Sequence, residues 1–114
     1  MDRAGVKQVC LSLPAATLDH PFGDHHDAYR VGGKMFCMVG EHGGVSFKVS
    51  DIAYEVLTES GHARPAPYMA RNKWVNLPCI DDWPDDELAV YLAIAHAIVA
   101  AKLTKKARAA LGLT

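Results

Sequence analysis

The chain has 114 residues, of which 50% are hydrophobic and 22% are charged, so we expect one domain over residues 1–114 with a single core. Lys and Arg number 12 against 13 Asp and Glu. This balance argues against a free-standing, high-affinity nucleic-acid binder unless the charges are segregated on the surface.

Cysteine usage and hydropathy point to a reducing compartment. Cys10, Cys37 and Cys79 form no CxxC pattern, so we expect three small buried residues and neither a zinc site nor a disulfide. The N-terminus does not resemble a signal peptide. The apolar run at residues 88–101 is shorter than the roughly 20 residues that a membrane span needs. We expect a cytoplasmic protein with no membrane association.

The first predicted element is a helix over residues 2–13, where apolar side chains recur at helical spacing. Pro14 ends this helix. Residues 15–21 are expected to form a connector, and Phe22 is expected to plug the edge of the core.

Three strands are predicted next, at about residues 28–31, 34–39 and 45–49. Gly-Gly pairs at residues 32–33 and 43–44 separate them, and such pairs between apolar runs indicate hairpins. The strands therefore form an antiparallel meander.

Strict alternation along the second of these strands gives it two apolar faces. Met35, Cys37 and Val39 would point to one side of the sheet. Phe36 and Met38 would point to the other, together with Lys34. Such a strand is either central or covered on its second face by a partner.

The remaining elements cover the sheet. Ser50 is a predicted N-cap for a second helix that Gly61 closes. A strand is predicted at residues 74–79, with a partner near residues 62–65. A long helix at about 85–102 is apolar around most of its circumference, so we expect another helix or a second subunit over its back; a short helix follows at 105–111.

The predicted order is therefore α-β-β-β-α-β-β-α-α. Strands joined by hairpins, with the helices packed on one face, give a two-layer α+β fold with an antiparallel sheet.

A loop rich in cations and aromatic residues is the main candidate site. Residues 64–74 interleave both kinds of side chain, and Arg and Lys neutralise phosphates while Tyr and Trp stack on bases. The predicted nucleic-acid-binding residues of this loop are Arg64, Tyr68, Arg71, Lys73 and Trp74, and the cations that extend it are Lys34, Lys48, Lys102, Lys105, Lys106 and Arg108. The alternative is that the two aromatic rings anchor the core and the charges only solubilise the loop.

A second cluster has the chemistry of metal ligands, because imidazole and carboxylate groups bind transition metals. It consists of Asp19, His20, Asp24, His25, His26 and Asp27. Adjacent histidines point to opposite sides of an extended chain, so we expect a solvated loop and no metal or cofactor. Whether His20, His25 and His26 bind a metal is left open.

Catalytic signatures are weak in this sequence. No Gly-x-Ser-x-Gly, P-loop or GxGxxG pattern occurs. Cys37 or Cys79 would need a neighbouring histidine to act as a nucleophile. His96, on a buried helix, is expected to be a hydrogen-bonded core residue. We therefore do not expect an enzyme.

Short motifs follow one another along almost the whole chain. They read CLSLP at 10–14, HPFG at 20–23, YRVGGKMF at 29–36, VSFK at 45–48, PY at 67–68, KWVNL at 73–77, and VAAKL at 99–103 with the lysine pair at 105–106. With these motifs the chain resembles the MmcQ/YjbR family of small bacterial proteins. The resemblance implies an α+β fold like that of type III secretion chaperones, a "double wing" DNA-binding role and no enzyme chemistry.

The sequence thus favours a non-enzymatic binding module. The first hypothesis is DNA binding through the loop at residues 64–74. The alternative is a protein-interaction or chaperone-like module, dimeric or bound to a partner through the apolar second face of the sheet. Small-ligand or metal binding is the third hypothesis.

Overall fold

The computed structural model describes residues 1–113 and contains one six-stranded sheet in which every pairing is antiparallel. The helices are α1 (Arg3–Ser12), α2 (Asp51–Ser60), α3 (Asp85–Ala101) and α4 (Lys105–Ala110). The strands are β1 (Ala16–Asp19), β2 (Asp27–Val31), β3 (Lys34–Val39), β4 (Val45–Lys48), β5 (Arg64–Pro65) and β6 (Trp74–Leu77), in the spatial order β1-β2-β3-β4-β6-β5. The predicted α+β class and antiparallel sheet are confirmed.

Strand β1 corrects the predicted connector. It pairs antiparallel with β2 at the edge of the sheet. Its half-buried residues Ala16 and Leu18 alternate with the exposed Thr17 and Asp19. This alternation covers only four residues, too few for a period of two to stand out from a connector.

The turn between β2 and β3 is a two-residue hairpin that depends on glycine. Gly32 and Gly33 have φ of 59° and 78°, as a type I′ turn requires. A Cβ atom on Gly32 would lie 2.6 Å from Cδ1 of the buried Leu103. The turn is therefore packed against the segment that follows α3.

A β-bulge interrupts β3 and overturns the predicted alternation. Tyr29 pairs with Cys37, but the next residue of β2, Arg30, pairs with Met35. Phe36 is thus the extra residue of the bulged strand.

The bulge sorts the side chains of β3 differently from a regular strand. Phe36 and Cys37 are both fully buried in the core, and the Phe36 ring lies 5.3 Å from the His96 ring in an edge-on contact. Met35 and Met38 instead line one cleft on the opposite face. The second face of the sheet consequently carries two methionines side by side.

The helices form the second layer around one hydrophobic cluster. Helix α3 packs on β2, β3 and β4, α1 lies against α3 and β1, and α2 contacts β5 and β6. His96 on α3 is buried, and its Nε2 lies 2.7 Å from the carbonyl oxygen of Pro14. The prediction of a hydrogen-bonded core histidine is confirmed.

The helix ends follow the expected capping chemistry. The Ser50 hydroxyl accepts a hydrogen bond of 3.1 Å from the Ala53 amide at the start of α2, and Gly61 closes the helix with φ of 77°. Both predicted caps are confirmed. The Asp2 carboxylate caps α1 in the same way through the Gly5 amide.

The cysteines are all free thiols, but only two of them are buried. Cys10 and Cys37 lie in the core, whereas Cys79 is exposed, which corrects the expectation of three buried residues. Cys79 lies two residues after Leu77, the last residue of β6, where the chain has left the sheet. Across residues 1–113, no helix combines the length and the apolar character needed to cross a membrane.

Candidate nucleic-acid interface

A basic pocket forms where four parts of the fold meet. They are the start of β3, the end of β4 with the start of α2, the loop before β6, and the C-terminal end of α3. The cavity measures about 400 Å³, and the cations that line it are Lys34, Lys48, Arg71, Lys73 and Lys102. Within the described residues 1–113, Asp51 supplies the one carboxylate of its lining.

The loop before β6 positions two of these cations. A short 3₁₀ helix, Ala70–Asn72, carries Arg71, and Lys73 follows with a positive φ of 62°. The Lys73 ammonium lies 4.8 Å from the centroid of the Tyr54 ring. This cation–π contact anchors the lysine between the loop and α2.

Lys48 is a largely buried cation of the pocket. Its side chain is only 8% exposed, and its ammonium group donates a hydrogen bond to the Asn72 carbonyl. Burial lowers the pKa of Lys48, and the nearby Lys102 and Lys73 lower it further, whereas Asp51 opposes them. Because these effects disfavour the charged form of Lys48, a bound anion would relieve them.

The N-terminus of α2 adds to the positive electrostatic potential of the pocket. Ser50 and Asp51 begin the helix beside the pocket, and the N-terminal end of a helix carries a partial positive charge. The chemistry of the pocket therefore favours an anionic group such as a phosphate.

Charge segregation reconciles this pocket with the near-zero net charge. Helix α3 starts with Asp85, Asp86 and Glu87, and its C-cap is Lys102. A helix of 17 residues is about 25 Å long at 1.5 Å per residue. The acidic and basic ends thus lie further apart than the Debye length of about 8 Å at physiological salt.

The pocket is lined by six of the eleven residues that the sequence offered for this interface: Lys34, Lys48, Arg71, Lys73, Trp74 and Lys102. The five others, Arg64, Tyr68, Lys105, Lys106 and Arg108, do not line it. Lys105 and Lys106 are exposed on α4.

Trp74 requires a correction. Its side chain is only 5% exposed and belongs to β6, so the ring cannot stack on a base. For Trp74 the alternative interpretation applies, in which the ring anchors the core. Tyr68 differs, because its side chain is fully exposed and it has a positive φ of 64°.

Arg64 occupies a different environment from the other cations. On β5, its Nε donates a hydrogen bond of 2.7 Å to Oδ1 of Asn76, whose Nδ2 lies 2.9 Å from the Ser46 hydroxyl. These residues put a polar network on the second face of the sheet. That face is therefore less uniformly apolar than the sequence indicated.

The apolar part of the second face is a cleft, which we name the methionine cleft. It measures about 350 Å³ and is lined by Phe22, His26, Met35, Met38, Pro67, Tyr68 and Met69. Phe22 is 57% exposed, so the expectation that it plugs the core is wrong. The β3 bulge, which the sequence pattern did not reveal, creates the floor of this cleft.

The histidine-rich loop is held by ion pairs. The Asp27 carboxylate receives hydrogen bonds from Arg3 at 2.9 Å and from His20 at 3.0 Å, and Asp19 pairs with Arg30. Within residues 1–113, no three His, Cys, Asp or Glu side chains are arranged so that they could hold a metal ion.

The outer surface of α3 carries exposed apolar side chains. Val90 and Ile94, one turn apart, are exposed, and so are Ile52 and Val56 on α2. The predicted cover over the back of α3 is therefore not supplied within residues 1–113.

Comparisons with known proteins agree with this architecture. The chain is 29% identical over 87 residues to the uncharacterized protein YbdF of Escherichia coli O157:H7, an alignment that covers 73% of this chain and 67% of YbdF. The crystal structure of Deinococcus radiodurans protein DR2400, a DUF419 domain, superposes with a TM-score of 0.84 at 24% identity, covering 96% of this chain and 86% of that one. This second likeness concerns the fold alone. The family model YjbR matches residues 11–98, and the chain therefore belongs to the YjbR family.

Proposed function

We propose that this protein is a non-catalytic DNA-binding module that holds backbone phosphates in the basic pocket. The observation that carries the proposal is the convergence of five cations, from four parts of the fold, around one cavity with a single carboxylate in its described lining. Such an arrangement supplies the electrostatic contribution that dominates nucleic-acid affinity.

The cations differ in how each would interact with a phosphate. Arg71 is exposed on the loop and offers a planar fork that suits two phosphate oxygens. Lys34 and Lys102 act as point charges at the rim. Lys48 is buried at the back, where low dielectric strengthens its attraction for an anion.

A salt titration tests the proposal. DNA, offered both as a duplex and as the separated strand, should bind with an affinity that falls linearly with salt on logarithmic axes. Lys34→Gln should make the slope shallower by about 0.7–0.9, because each lost phosphate contact removes that much.

Lys7→Gln is the matched control, since Lys7 is an exposed lysine on α1 that does not line the pocket. It should leave the slope unchanged. The double variant Lys105→Gln/Lys106→Gln decides whether α4 extends the interface. Equal slopes for Lys34→Gln and Lys7→Gln, or no binding of either DNA form at low salt, would contradict the proposal.

The second candidate function is a dimeric protein-interaction module. The exposed pair Val90 and Ile94 on α3 favours it, because exposed apolar patches are common at interfaces. A dimeric mass in light scattering, together with no binding to DNA at low salt, would favour this function over the first.

A further inference from the structure

The methionine cleft adjoins the basic pocket. Met35 lines both cavities. One continuous segment also serves both, because Pro67, Tyr68 and Met69 line the cleft while Arg71, Asn72 and Lys73 line the pocket. A ligand with an anionic part and a flat apolar part could therefore occupy the two together.

The walls of the cleft are suited to a flat ring. Tyr68 and Phe22 are exposed aromatic side chains on two different loops, and both line the cleft. Met35, Met38 and Met69 offer polarizable thioethers, which make favourable contacts with aromatic rings.

Tyr68 has an unusual backbone conformation. Its φ of 64° lies in the left-handed region that a tyrosine rarely adopts. A non-glycine residue in that region is a reason to look for a functional constraint. Here the strained backbone accompanies a fully exposed ring at the cleft.

We propose that the methionine cleft takes an unpaired nucleobase while the basic pocket holds a phosphate of the same strand. The inference rests on the proposed function and deepens it, because it makes single-stranded nucleic acid the preferred ligand. A base inside a duplex is stacked on both faces and paired along one edge, so it cannot enter the cleft without being flipped out.

The lining also sets the expected selectivity. His26 and the Tyr68 hydroxyl are the polar side-chain groups among the described residues of the cleft. Few hydrogen bonds are therefore available to read a base edge, whereas every base offers an aromatic face. Recognition should be tolerant of sequence.

The experiment compares three labelled probes by fluorescence anisotropy at low salt. They are an oligothymidylate of about 12 nucleotides, the same oligomer with abasic sites in place of its bases, and a duplex of equal length. The oligothymidylate should bind at least about fivefold more tightly than the abasic probe, since stacking one base contributes roughly 1–3 kcal/mol.

Substitutions in the cleft should remove this preference. Tyr68→Ala and Tyr68→Leu should each bring the oligothymidylate close to the affinity of the abasic probe, because neither side chain offers an aromatic face for stacking. Val90→Ala, an exposed apolar change on α3, should leave the preference intact. Circular dichroism verifies that each variant folds.

The outcomes separate the two proposals. Equal affinity for the base-containing and abasic strands, or for single strand and duplex, would overturn the base site and leave phosphate binding standing. An unchanged preference in Tyr68→Ala would also overturn the base site. No binding of any probe at low salt would overturn the proposed function and the base site together.

Discussion

At the scale of single residues, Asp27 joins the N-terminal helix to the sheet. Its carboxylate accepts hydrogen bonds from Arg3 and His20, and Arg3 also donates to the carbonyls of Gly40 and His25. Burial acts to raise the pKa of Asp27, but its hydrogen bonds and charge interactions with Arg3 and His20 outweigh burial, so the pKa is lowered.

This lowered pKa predicts how stability depends on pH. Because the folded state holds the proton less tightly than the unfolded state, the stabilising contribution of Asp27 is complete above the unfolded pKa of about 3.9. This contribution is lost as the pH falls through the lower pKa of Asp27 in the folded state. Asp27→Asn should reduce the free energy of unfolding by about 1–3 kcal/mol at neutral pH, and the difference should shrink below about pH 4.

Urea unfolding at several pH values measures this effect. Asp24→Asn, at an exposed position of the turn just before β2, is the control and should change stability little. A difference between wild type and Asp27→Asn that stays constant down to the acid limit would contradict the assigned role of the carboxylate.

Sequence alone gave the types of the site residues better than their environments. The cations of the loop were identifiable from spacing. Trp74 was placed at the start of a predicted strand and Tyr68 in the loop before it, but the sequence did not show which of the two rings faces the core. The structure buries Trp74 on β6 and leaves Tyr68 exposed. The ion pair between Arg3 and Asp27 joins residues on separate elements, so no local sequence pattern predicts it.

At the scale of elements, the β2–β3 turn is where backbone conformation and packing coincide. Gly32 and Gly33 both have positive φ, but only Gly32 lies against Leu103, whereas a Cβ on Gly33 would have no neighbour within 4 Å. Substituting each glycine in turn therefore separates the cost of backbone strain from the cost of crowding against Leu103.

Gly33→Ala should lower the free energy of unfolding by about 1–2 kcal/mol, from the left-handed conformation alone. Gly32→Ala should cost a further 1–3 kcal/mol or so, because Leu103 must move in a packed core. Thermal or urea unfolding of both variants compares the two values. Equal losses would show that the contact with Leu103 has little energetic weight.

The elements themselves were largely predictable. Gly-Gly pairs, helix caps and apolar spacing located all four helices and five of the six strands. Strand β1 was missed since four half-buried residues carry little periodicity. The bulge at Phe36 was missed because a register shift depends on the partner strand, and it changes which side chains form the methionine cleft.

At the scale of the whole molecule, the proposed function depends on the distribution of charge more than on its sum. The acidic start of α3 and the basic pocket at its other end both enter the net charge of −1, which hides their separation. Composition alone argued against nucleic-acid binding for this reason. Only the fold brings Lys34, Arg71 and Lys102 together from distant parts of the chain.

The location of bound DNA tests the central proposal most directly. In amide NMR spectra recorded while a single-stranded oligomer is added, the largest shift changes should fall on Lys48, Arg71, Lys73 and the first turn of α2. The amides of Lys7 on α1 and of the acidic start of α3 should stay in place. Changes centred on those two regions, or none at low salt, would contradict a phosphate-binding role for the basic pocket.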